Sequence, residues 1–362
     1  MLYYFLYPLH ESISAFNIFR YITFRAGMAA LTAFLVSLIF GPFVIRRLKK
    51  LKIGENIRKE DSGRLHELHR SKQDTPTMGG ILILGSIVIS TVLWAELSNK
   101  YVLMAIFSTL WLGITGFIDD YLKQTKKKSK GLTATAKMTS QILLGLVLGT
   151  ILFLDPQHSI RLDLPFLKDA SMNLDGLYIL FVILVIAGSS NAVNLTDGLD
   201  GLAIGIVVMV AFTFSVLSYV TGNLKFSEYL LIPHIKGAGE LTVFCSSILG
   251  AGLGFLWFNC YPAAIFMGDV GSLALGGALG VVALLIKKEL LLILVGGIFV
   301  LEAASVILQV ASFRLFKKRI FKIAPLHHHF QFLNWPENQV IVRFWILAGL
   351  LALLTLVTLK IR

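Results

Sequence analysis

The sequence predicts an all-α integral membrane protein, and three observations lead to this fold class. Of the 362 residues, 56% are hydrophobic and only 15% are charged, which leaves too little polar surface for a soluble domain of this length. Apolar segments long enough to span a bilayer recur along the whole chain. Basic residues concentrate in a few of the connections between those segments. We therefore expect residues 1–362 to form a single polytopic transmembrane domain.

Ten apolar segments are predicted to span the membrane as helices. No basic region and small-residue cleavage site precede the first segment, so we expect it to be retained. Glycines at 250–254 and 276–280 predict close helix packing through small residues, because no strand-turn-helix context for a nucleotide-binding loop surrounds them. The ten segments are 22–45, 78–97, 102–118, 138–154, 175–190, 201–221, 239–258, 268–286, 290–312 and 341–360.

Lysine and arginine predict the orientation of the spans. Residues 46–77 hold ten of the 33 basic residues, and residues 119–137 and 313–343 hold six each. These three loops fall on one side of the membrane, which the positive-inside rule assigns to the cytoplasm, so both termini are expected on the outer side. The net charge of +12 then reflects topology and anionic lipid rather than a nucleic-acid partner. The outer connections 155–174 and 222–238 show no evident chemistry.

Two adjacent acids, Asp119 and Asp120, end the third predicted span. Adjacent carboxylates repel each other and are costly near lipid unless a cation offsets them. The pair therefore suits either Mg²⁺ bound to a phosphorylated ligand or a carboxylate that acts as a base. A solvated helix terminus flanked by lysines is the alternative.

A polar sequence between the fifth and sixth predicted spans contains Asn194, Asp197 and Asp200 together with Gly198 and Gly201. The two aspartates would share one face if the sixth helix began here. The glycines allow a close backbone approach or a positive φ, and free amides at a helix start could hold a phosphate or a polar ring. The alternative is a capped turn without substrate contact.

Asp269 is a lone acid that enters an apolar segment, and acids within a membrane are functional candidates by default. No lysine or arginine lies in its loop, so a metal ion is its expected partner. Shortly before it, Asn259 could bond to the edge of a base. Phe266 could stack on that base or belong to the core.

Three consecutive histidines, His327 to His329, lie in the last basic loop. They cannot all face one ligand in a helix or strand. Substrate binding, with one histidine donating to a phosphate, fits better than a zinc site, for which the spacing offers no further ligands. A solvated surface run is the alternative. Glu302 and Gln309, seven residues apart on the ninth span, either line the cavity or bond between helices.

Four of these polar strings, together with the string Thr-Pro-Thr-Met-Gly-Gly at residues 75–80, follow one another along the chain. Their order resembles that of the polyprenyl-phosphate N-acetylhexosamine-1-phosphate transferases. The ten-span layout extends the resemblance over nearly the whole chain. The triple histidine and the Thr-Pro-Thr-Met-Gly-Gly string favour the branch that uses UDP-MurNAc-pentapeptide over relatives that use UDP-GlcNAc. The strings occupy residues 75–80, 117–121, 194–201, 266–272 and 325–329.

This resemblance implies transfer of phospho-MurNAc-pentapeptide from UDP onto undecaprenyl phosphate, which releases UMP and leaves lipid I in the membrane for peptidoglycan synthesis. Mg²⁺ is the implied cofactor. The implied location is the bacterial inner membrane, with the site facing the cytoplasm and both termini on the periplasmic side. UDP-MurNAc-pentapeptide, undecaprenyl phosphate and membrane lipid are the implied partners, and a homodimer is one arrangement left open.

The resemblance also implies roles for individual residues. Asp119 and Asp120 form the acid pair, Asp269 is the magnesium ligand with Asp119 or Asp120 as a further candidate, and His327 is counted as catalytic. Asp74 departs from the family pattern, in which glycine is expected. Lys130 and Lys137 are both in range of the position expected for a lysine after the acid pair. The implied substrate-binding residues are Lys72, Thr77, Lys130, Lys137, Asn194, Asp197, Gly198, Leu199, Asp200, Asn259, Phe266, His328 and His329.

Two mechanisms and two other functions are compatible with these residues. Asp119 either takes the remaining proton of the lipid phosphate in a single displacement, or acts as the nucleophile that forms a phosphosugar-enzyme intermediate. A transporter would also have many spans with polar breaks, but its site is expected near the bilayer midplane rather than at helix ends. The sister transferase that uses UDP-GlcNAc is the other alternative.

Overall fold

The computed structural model describes residues 1–51, 75–125, 131–164 and 171–360. Within these ranges, nine helices are long and apolar enough to cross a membrane, which confirms the predicted helical membrane protein. One further apolar helix, Gly80–Trp94, has only 15 residues. At 1.5 Å per residue its length is about 22 Å, shorter than the hydrocarbon core of a typical bilayer.

Most of the long helices coincide with a predicted span. In the described part of the chain, four 3₁₀ turns accompany the α-helices, at Tyr7–Glu11, Ser14–Arg20, Ala238–Glu240 and Thr358–Lys360. The α-helices are α1 (Leu2–Leu6), α2 (Ile22–Lys50), α3 (Gly80–Trp94), α4 (Lys100–Thr125), α5 (Ala134–Leu154), α6 (Leu177–Thr196), α7 (Leu202–Gly222), α8 (Leu224–Leu230), α9 (Leu241–Asn259), α10 (Gly268–Leu285), α11 (Glu289–Val295), α12 (Gly297–Phe316), α13 (Leu326–Phe332) and α14 (Glu337–Val357).

Several predicted spans differ from the observed helices; for example, the span 175–190 belongs to α6, which continues to Thr196 and so includes Asn194. The predicted span 290–312 is two helices, α11 and α12, which meet at Gly296 and Gly297. Adjacent glycines are poor helix formers, so this is a natural point for a break. The predicted span 102–118 belongs to a longer helix, since α4 continues to Thr125. The acid pair therefore lies inside a helix and not at its end.

The connection 155–174 departs from the purely helical expectation. It contains a two-stranded antiparallel sheet of β1 (Arg161–Asp163) and β2 (Ser171–Asn173). Leu162 pairs with Met172 at the centre of the register. In its described residues, the fold is therefore helical with one small two-stranded sheet outside the spans.

Helix α10 forms the centre of the bundle, and nearly all of its residues are buried. Small residues allow its neighbours to approach. A β-carbon on Gly80 of α3 would overlap the backbone of Gly271, and one on Gly276 would lie 2.5 Å from the carbonyl oxygen of Ser189 in α6. In the same way, a β-carbon on Gly250 of α9 would overlap the carbonyl of Ala30 in α2. The predicted packing through glycines is confirmed.

Candidate active site

Three carboxylates from two helices converge at one end of the bundle. Asp119 and Asp120 lie in α4, and Asp269 lies in the first turn of α10. One carboxylate oxygen of each lies within 4.8 Å of the others. Asp119 and Asp120 are buried and Asp269 is half-buried. The structure thus brings together three acids that the sequence singled out separately, and we call them the acid cluster.

Two lysine ammonium groups lie among these carboxylates. The Nζ of Lys123 is 2.6 Å from Asp119 Oδ2, 3.0 Å from Asp269 Oδ2 and 3.6 Å from Asp120 Oδ1. The Nζ of Lys137, from α5, is 2.8 Å from Asp119 Oδ2 and 2.5 Å from Asp269 Oδ2. Counted in their ordinary ionised forms, the three carboxylates and two ammonium groups sum to one negative charge.

These contacts correct one step of the sequence argument. A metal ion was expected as the partner of Asp269 because its own loop holds no basic residue. The loop does lack one, but Lys123 and Lys137 reach Asp269 from two other helices. The two lysine ammonium groups become neighbours of Asp269 only because α4 and α5 pack beside α10.

Two glycines allow the acid cluster to form. A β-carbon on Gly116 of α4 would overlap the backbone carbonyl of Asp269, so a larger residue would separate α4 from α10 at the site. Gly131 has a φ of +54°, and its missing β-carbon would lie 2.5 Å from Asp119 Oδ1. The next amide, that of Leu132, donates to Asp119 Oδ1 at 2.6 Å. The chain before α5 thus folds back onto Asp119.

Asn194 and Thr77 border the acid cluster. The Nδ2 of Asn194 donates to Asp269 Oδ1 and to Ser272 Oγ, both at 2.8 Å. Thr77 lies beside Gly268, where a β-carbon would be 3.0 Å from Thr77 Oγ1. Direct contact of either residue with a substrate stays a prediction.

The segment 197–201 is a turn between two helices, so the condition under which its two aspartates would share a helix face is not met. Helix α6 ends at Thr196 and α7 begins at Leu202, so Asp197 and Asp200 lie in a turn and do not share a helix face. Several amides of this turn are already bonded within the protein. The N–H groups of Gly198, Asp200 and Gly201 donate to Thr196 O, Glu337 Oε1 and Asn259 Oδ1, respectively, at 2.9, 3.1 and 3.0 Å.

Asn259 and Asp200 fasten this turn to the loop after α9. Asn259 is buried, and its Nδ2 donates to Ile265 O at 2.7 Å while its Oδ1 accepts from the turn. The Oδ2 of Asp200 accepts from the amide of Ala263 at 3.0 Å. Leu199 is buried within the same turn. Direct contact of these residues with a nucleotide base stays a prediction.

Phe266 is half-buried in a backbone pairing that crosses the site. Its amide donates to Pro76 O, and its carbonyl accepts from the amide of Gly79, both at 2.8 Å. The 75–80 and 266–272 strings, which are far apart in sequence, are therefore neighbours. Stacking of the Phe266 ring on a base stays a prediction.

The three histidines form part of α13 and have different partners. His327 is buried, with Nδ1 3.2 Å from Glu302 Oε2, and its Nε2 lies against Gly198 in close contact. The Nδ1 of His328 is 2.9 Å from Gln331 Oε1, and the Nδ1 of His329 accepts from the amide of Lys322 at 3.1 Å. Three separate environments agree with the expectation that the histidines cannot share one ligand.

Glu302 and Gln309 bond to neighbouring segments. Glu302 Oε1 accepts from the amide of His327 at 3.2 Å, and Gln309 Oε1 accepts from the amides of Ile320 and Phe321 at 3.0 Å. Of the two interpretations, bonding between elements is the one observed. Lys72 and Lys130, the two other predicted substrate-binding lysines, lie outside the described residues, as does Asp74.

Comparison with known proteins identifies the family. A model described as glycosyl transferase family 4 matches residues 102–287, and phospho-N-acetylmuramoyl-pentapeptide-transferase signature 1 matches residues 72–84. The chain is 53% identical to phospho-N-acetylmuramoyl-pentapeptide-transferases from Desulforapulum autotrophicum and from Pelobacter propionicus, and each alignment covers all of both chains. The chain belongs to this transferase family. A third relative of the same name, from Syntrophus aciditrophicus, is 50% identical over its full length.

Some residues of this transferase site were not among the predicted ones. Lys123 contacts all three acids, and its position four residues after Asp119 in a helix could have indicated it. Ser272 Oγ accepts a hydrogen bond from the Asn194 side chain. Glu337 Oε1 accepts one from the backbone amide of Asp200. Nothing in the local sequence points to Glu337, because α14 reaches the turn only in the tertiary structure.

The acid cluster has the chemistry of a divalent-cation site. Mg²⁺ prefers carboxylate oxygens and retains several waters, and three carboxylates with a net negative charge suit it. Asp119 Oδ2 is buried without a hydrogen bond of acceptable geometry, although both lysine ammonium groups lie near it. Such an oxygen is a suitable ligand for a cation, so the residues present fit the metal.

Proposed function

We propose that this chain transfers phospho-MurNAc-pentapeptide from UDP-MurNAc-pentapeptide to undecaprenyl phosphate, forming lipid I and UMP in peptidoglycan synthesis. The observation that carries the proposal is the convergence of three carboxylates and two ammonium groups in a chain related over its full length to transferases of that name. Carboxylates can bind a divalent cation, and neighbouring lysines can face the anionic oxygens of a substrate. This combination is suited to a diphosphate.

The reaction is an attack on a diphosphate. An oxygen of the lipid phosphate forms a bond to the phosphorus that bears the sugar. The bond from that phosphorus to the bridging oxygen breaks, and UMP leaves with that oxygen. Lys123 and Lys137, which neutralise the acids in the structure, are placed to stabilise the negative charge that develops on the phosphoryl oxygens.

We infer that Asp269 holds Mg²⁺, with Asp119 or Asp120 as a further ligand. When bound, the ion supplies Lewis-acid stabilisation of the phosphoryl oxygens. Asn194, which donates to Asp269 Oδ1, would keep that carboxylate in a fixed orientation.

For Asp119 we propose a base in a single displacement rather than a nucleophile. A phosphate monoester has a second pKa of about 6, so near neutral pH only a residual proton needs to be removed. Asp119 accepts the Leu132 amide on one oxygen and faces two lysines with the other, an arrangement that holds its carboxylate in place. Isolation of a phosphosugar adduct on Asp119 would show that the carboxylate is the nucleophile instead.

The decisive experiment offers two nucleotide sugars to the purified protein. We expect UMP release from UDP-MurNAc-pentapeptide only when undecaprenyl phosphate and Mg²⁺ are present, with no release from UDP-GlcNAc. Asp269→Asn, purified in the same way, is the matched control for a contaminating activity. Release from UDP-GlcNAc alone would indicate the sister transferase, and absence of lipid-dependent release from either sugar would contradict the proposal.

We also propose ten spans, with α3 as the short one, both termini on the periplasmic side and the site facing the cytoplasm of the bacterial inner membrane. The support is that the site occupies the same helix ends as the basic loops 46–77, 119–137 and 313–343. Cys260, which is exposed beside the site, allows a direct test because Cys245 is buried. A membrane-impermeant maleimide should label Cys260 in inverted vesicles and not in spheroplasts; the opposite result would reverse the topology.

A further inference from the structure

A second layer of polar contacts lies one helical turn below the acid cluster, toward the membrane interior. Its centre is Gln141, which is buried in α5 four residues after Lys137. Gln141 Nε2 donates to Ser190 Oγ at 3.2 Å, and Gln141 Oε1 accepts from Asn191 Nδ2 at 2.8 Å. Both partners belong to α6, so the amide of Gln141 ties α5 to α6.

The layer continues from α6 to α10. Ser190 Oγ donates to the carbonyl of Leu273 at 3.1 Å, and Leu273 lies four residues after Asp269. Asn191 lies three residues before Asn194, which bonds to Asp269. Each contact of this layer is therefore one turn away from a contact of the acid cluster.

On its other side, α5 is tied to α4 in the same way. Ser140 Oγ and Thr115 Oγ1 are 2.7 Å apart, and Trp111 Nε1 donates to Ser140 Oγ at 3.0 Å. Thr115 precedes Asp119 by four residues. Helix α5 is thus held on both sides directly beneath Lys137.

Apolar packing alone would hold α5 less firmly. Its apolar contact with α6 runs through Gly145 and Gly149, which lie against Ile183 and Ile179, one and two turns beyond Gln141 and therefore farther from Lys137. Away from water, hydrogen bonds between side chains of different helices help to hold those helices together. The Gln141 contacts with α6, together with the Ser140 contacts with α4, therefore restrict the rotation of α5 next to Lys137, and with it the direction in which Lys137 leaves the helix.

We propose that Gln141 is a positioning residue for Lys137: by fixing α5 against α6, it holds the Lys137 ammonium between Asp119 and Asp269. The inference rests on the proposed function in one respect, because one of its two tests measures turnover. If the wild-type protein transfers nothing, the proposed function fails, whereas the labelling experiment below still tests the role of Gln141.

The first test is a double-mutant cycle. Gln141→Met keeps the length of the side chain and removes both hydrogen bonds. We expect kcat to fall about tenfold, with KM for either substrate changed less than about twofold. In a Lys137→Met background, the same substitution should cause less than about a twofold further loss, because its effect passes through Lys137.

The matched control is Ser246→Ala, which removes a buried hydroxyl bonded to Ser215 between α9 and α7 and should leave kcat unchanged. An unchanged kcat in Gln141→Met would overturn the proposal. So would a loss of similar size in the control, or a tenfold loss that persists in the Lys137→Met background, since either would indicate general loosening of the bundle.

The second test measures Lys137 itself and needs no activity. An amine-acylating reagent is applied to the full-length protein in detergent, and acylation at each lysine is followed by peptide mass spectrometry. Gln141→Met should raise the rate at Lys137 severalfold and leave the exposed Lys225 unchanged. An unchanged rate at Lys137 would overturn the proposal even if Lys137→Met has too little turnover for the cycle.

Discussion

The ammonium nitrogen of Lys137 lies 2.5 Å from Asp269 Oδ2, although 132 positions separate the two residues in the chain. The same nitrogen lies 2.8 Å from Asp119 Oδ2. One cation from α5 thus joins acids from α4 and α10. Removing the Lys137 ammonium would increase the uncompensated negative charge of the acids at a site that is largely shielded from water, where such charges are costly.

Asp269→Asn tests the acid that we assign to the metal. The substitution keeps the shape of the side chain and removes its charge, so turnover should fall by about a hundredfold or more. Asp269→Glu, which keeps the charge and changes the reach, should retain more activity. The measurement is kcat over a Mg²⁺ titration. Undiminished Mg²⁺-dependent turnover in Asp269→Asn would contradict the assignment.

Gly131→Ala tests the chain reversal that delivers the Leu132 amide to Asp119. A methyl group would lie 2.5 Å from Asp119 Oδ1, and the φ of +54° is unfavourable for alanine by about 1 kcal/mol. We expect kcat to fall about tenfold, with a small loss of thermal stability. Gly27→Ala is the matched control, because no atom lies within 4 Å of its missing β-carbon. Equal activity of the two variants would argue against this role.

Arg25 and Glu240 form a buried ion pair remote from the site. The two guanidinium contacts are 2.7 and 2.5 Å long, and the side chains are 3% and 7% exposed. Arg25→Met should destabilise the protein by about 3–5 kcal/mol, because it leaves the Glu240 carboxylate unpaired and buried. Arg25→Met combined with Glu240→Leu should recover most of that loss.

The control for this pair is Lys100, whose side chain is 40% exposed and pairs with Asp155. Lys100→Met should cost less than about 1 kcal/mol. Denaturant unfolding of the three variants in one detergent measures the differences. A similar cost for Arg25→Met and Lys100→Met would show that burial does not govern the ion pair.

His158 gives stability a dependence on pH. It is buried beside β1, with Nε2 2.7 Å from Tyr178 Oη, and burial together with the charge of Lys287 lowers its pKa to about 4. Folding therefore favours the neutral ring. The neutral ring therefore contributes to the free energy of unfolding, and this contribution is complete above the ordinary pKa of about 6.5. It is lost as the pH falls from there through about 4, and the total loss is on the order of 3 kcal/mol.

The measurement is the melting temperature between pH 7.5 and 4.5 for the wild type and His158→Gln. The wild type should lose more stability than the variant on acidification, because glutamine does not titrate. A difference between the two proteins that stays constant over this range would show that His158 is not the group responsible.

Local patterns predicted much of the candidate site but not its cations. Asp119, Asp269 and Asn194 were each conspicuous as polar residues beside apolar spans. Only Asp269 fell inside a predicted span, because α4 and α6 continue beyond the predicted ends at 118 and 190. Lys137 was one of several lysines in a basic loop, and its partners were invisible because they belong to other helices. The start of α7 was predicted to within one residue, but the sequence did not show whether Asp197 and Asp200 lie inside that helix or in the turn before it.

The sequence by itself determined that the protein is a helical membrane protein, the approximate bounds of most of its long helices, and which acids are conspicuous beside the apolar segments. The reason is that backbone groups in lipid must be bonded within each apolar segment, so apolar length alone specifies a helix. Only the tertiary structure decided which helices are neighbours. Gly116 admits α4 against Asp269 and Gln141 ties α5 to α6, and contacts between such distant positions depend on shape and polar pairing that no single segment contains.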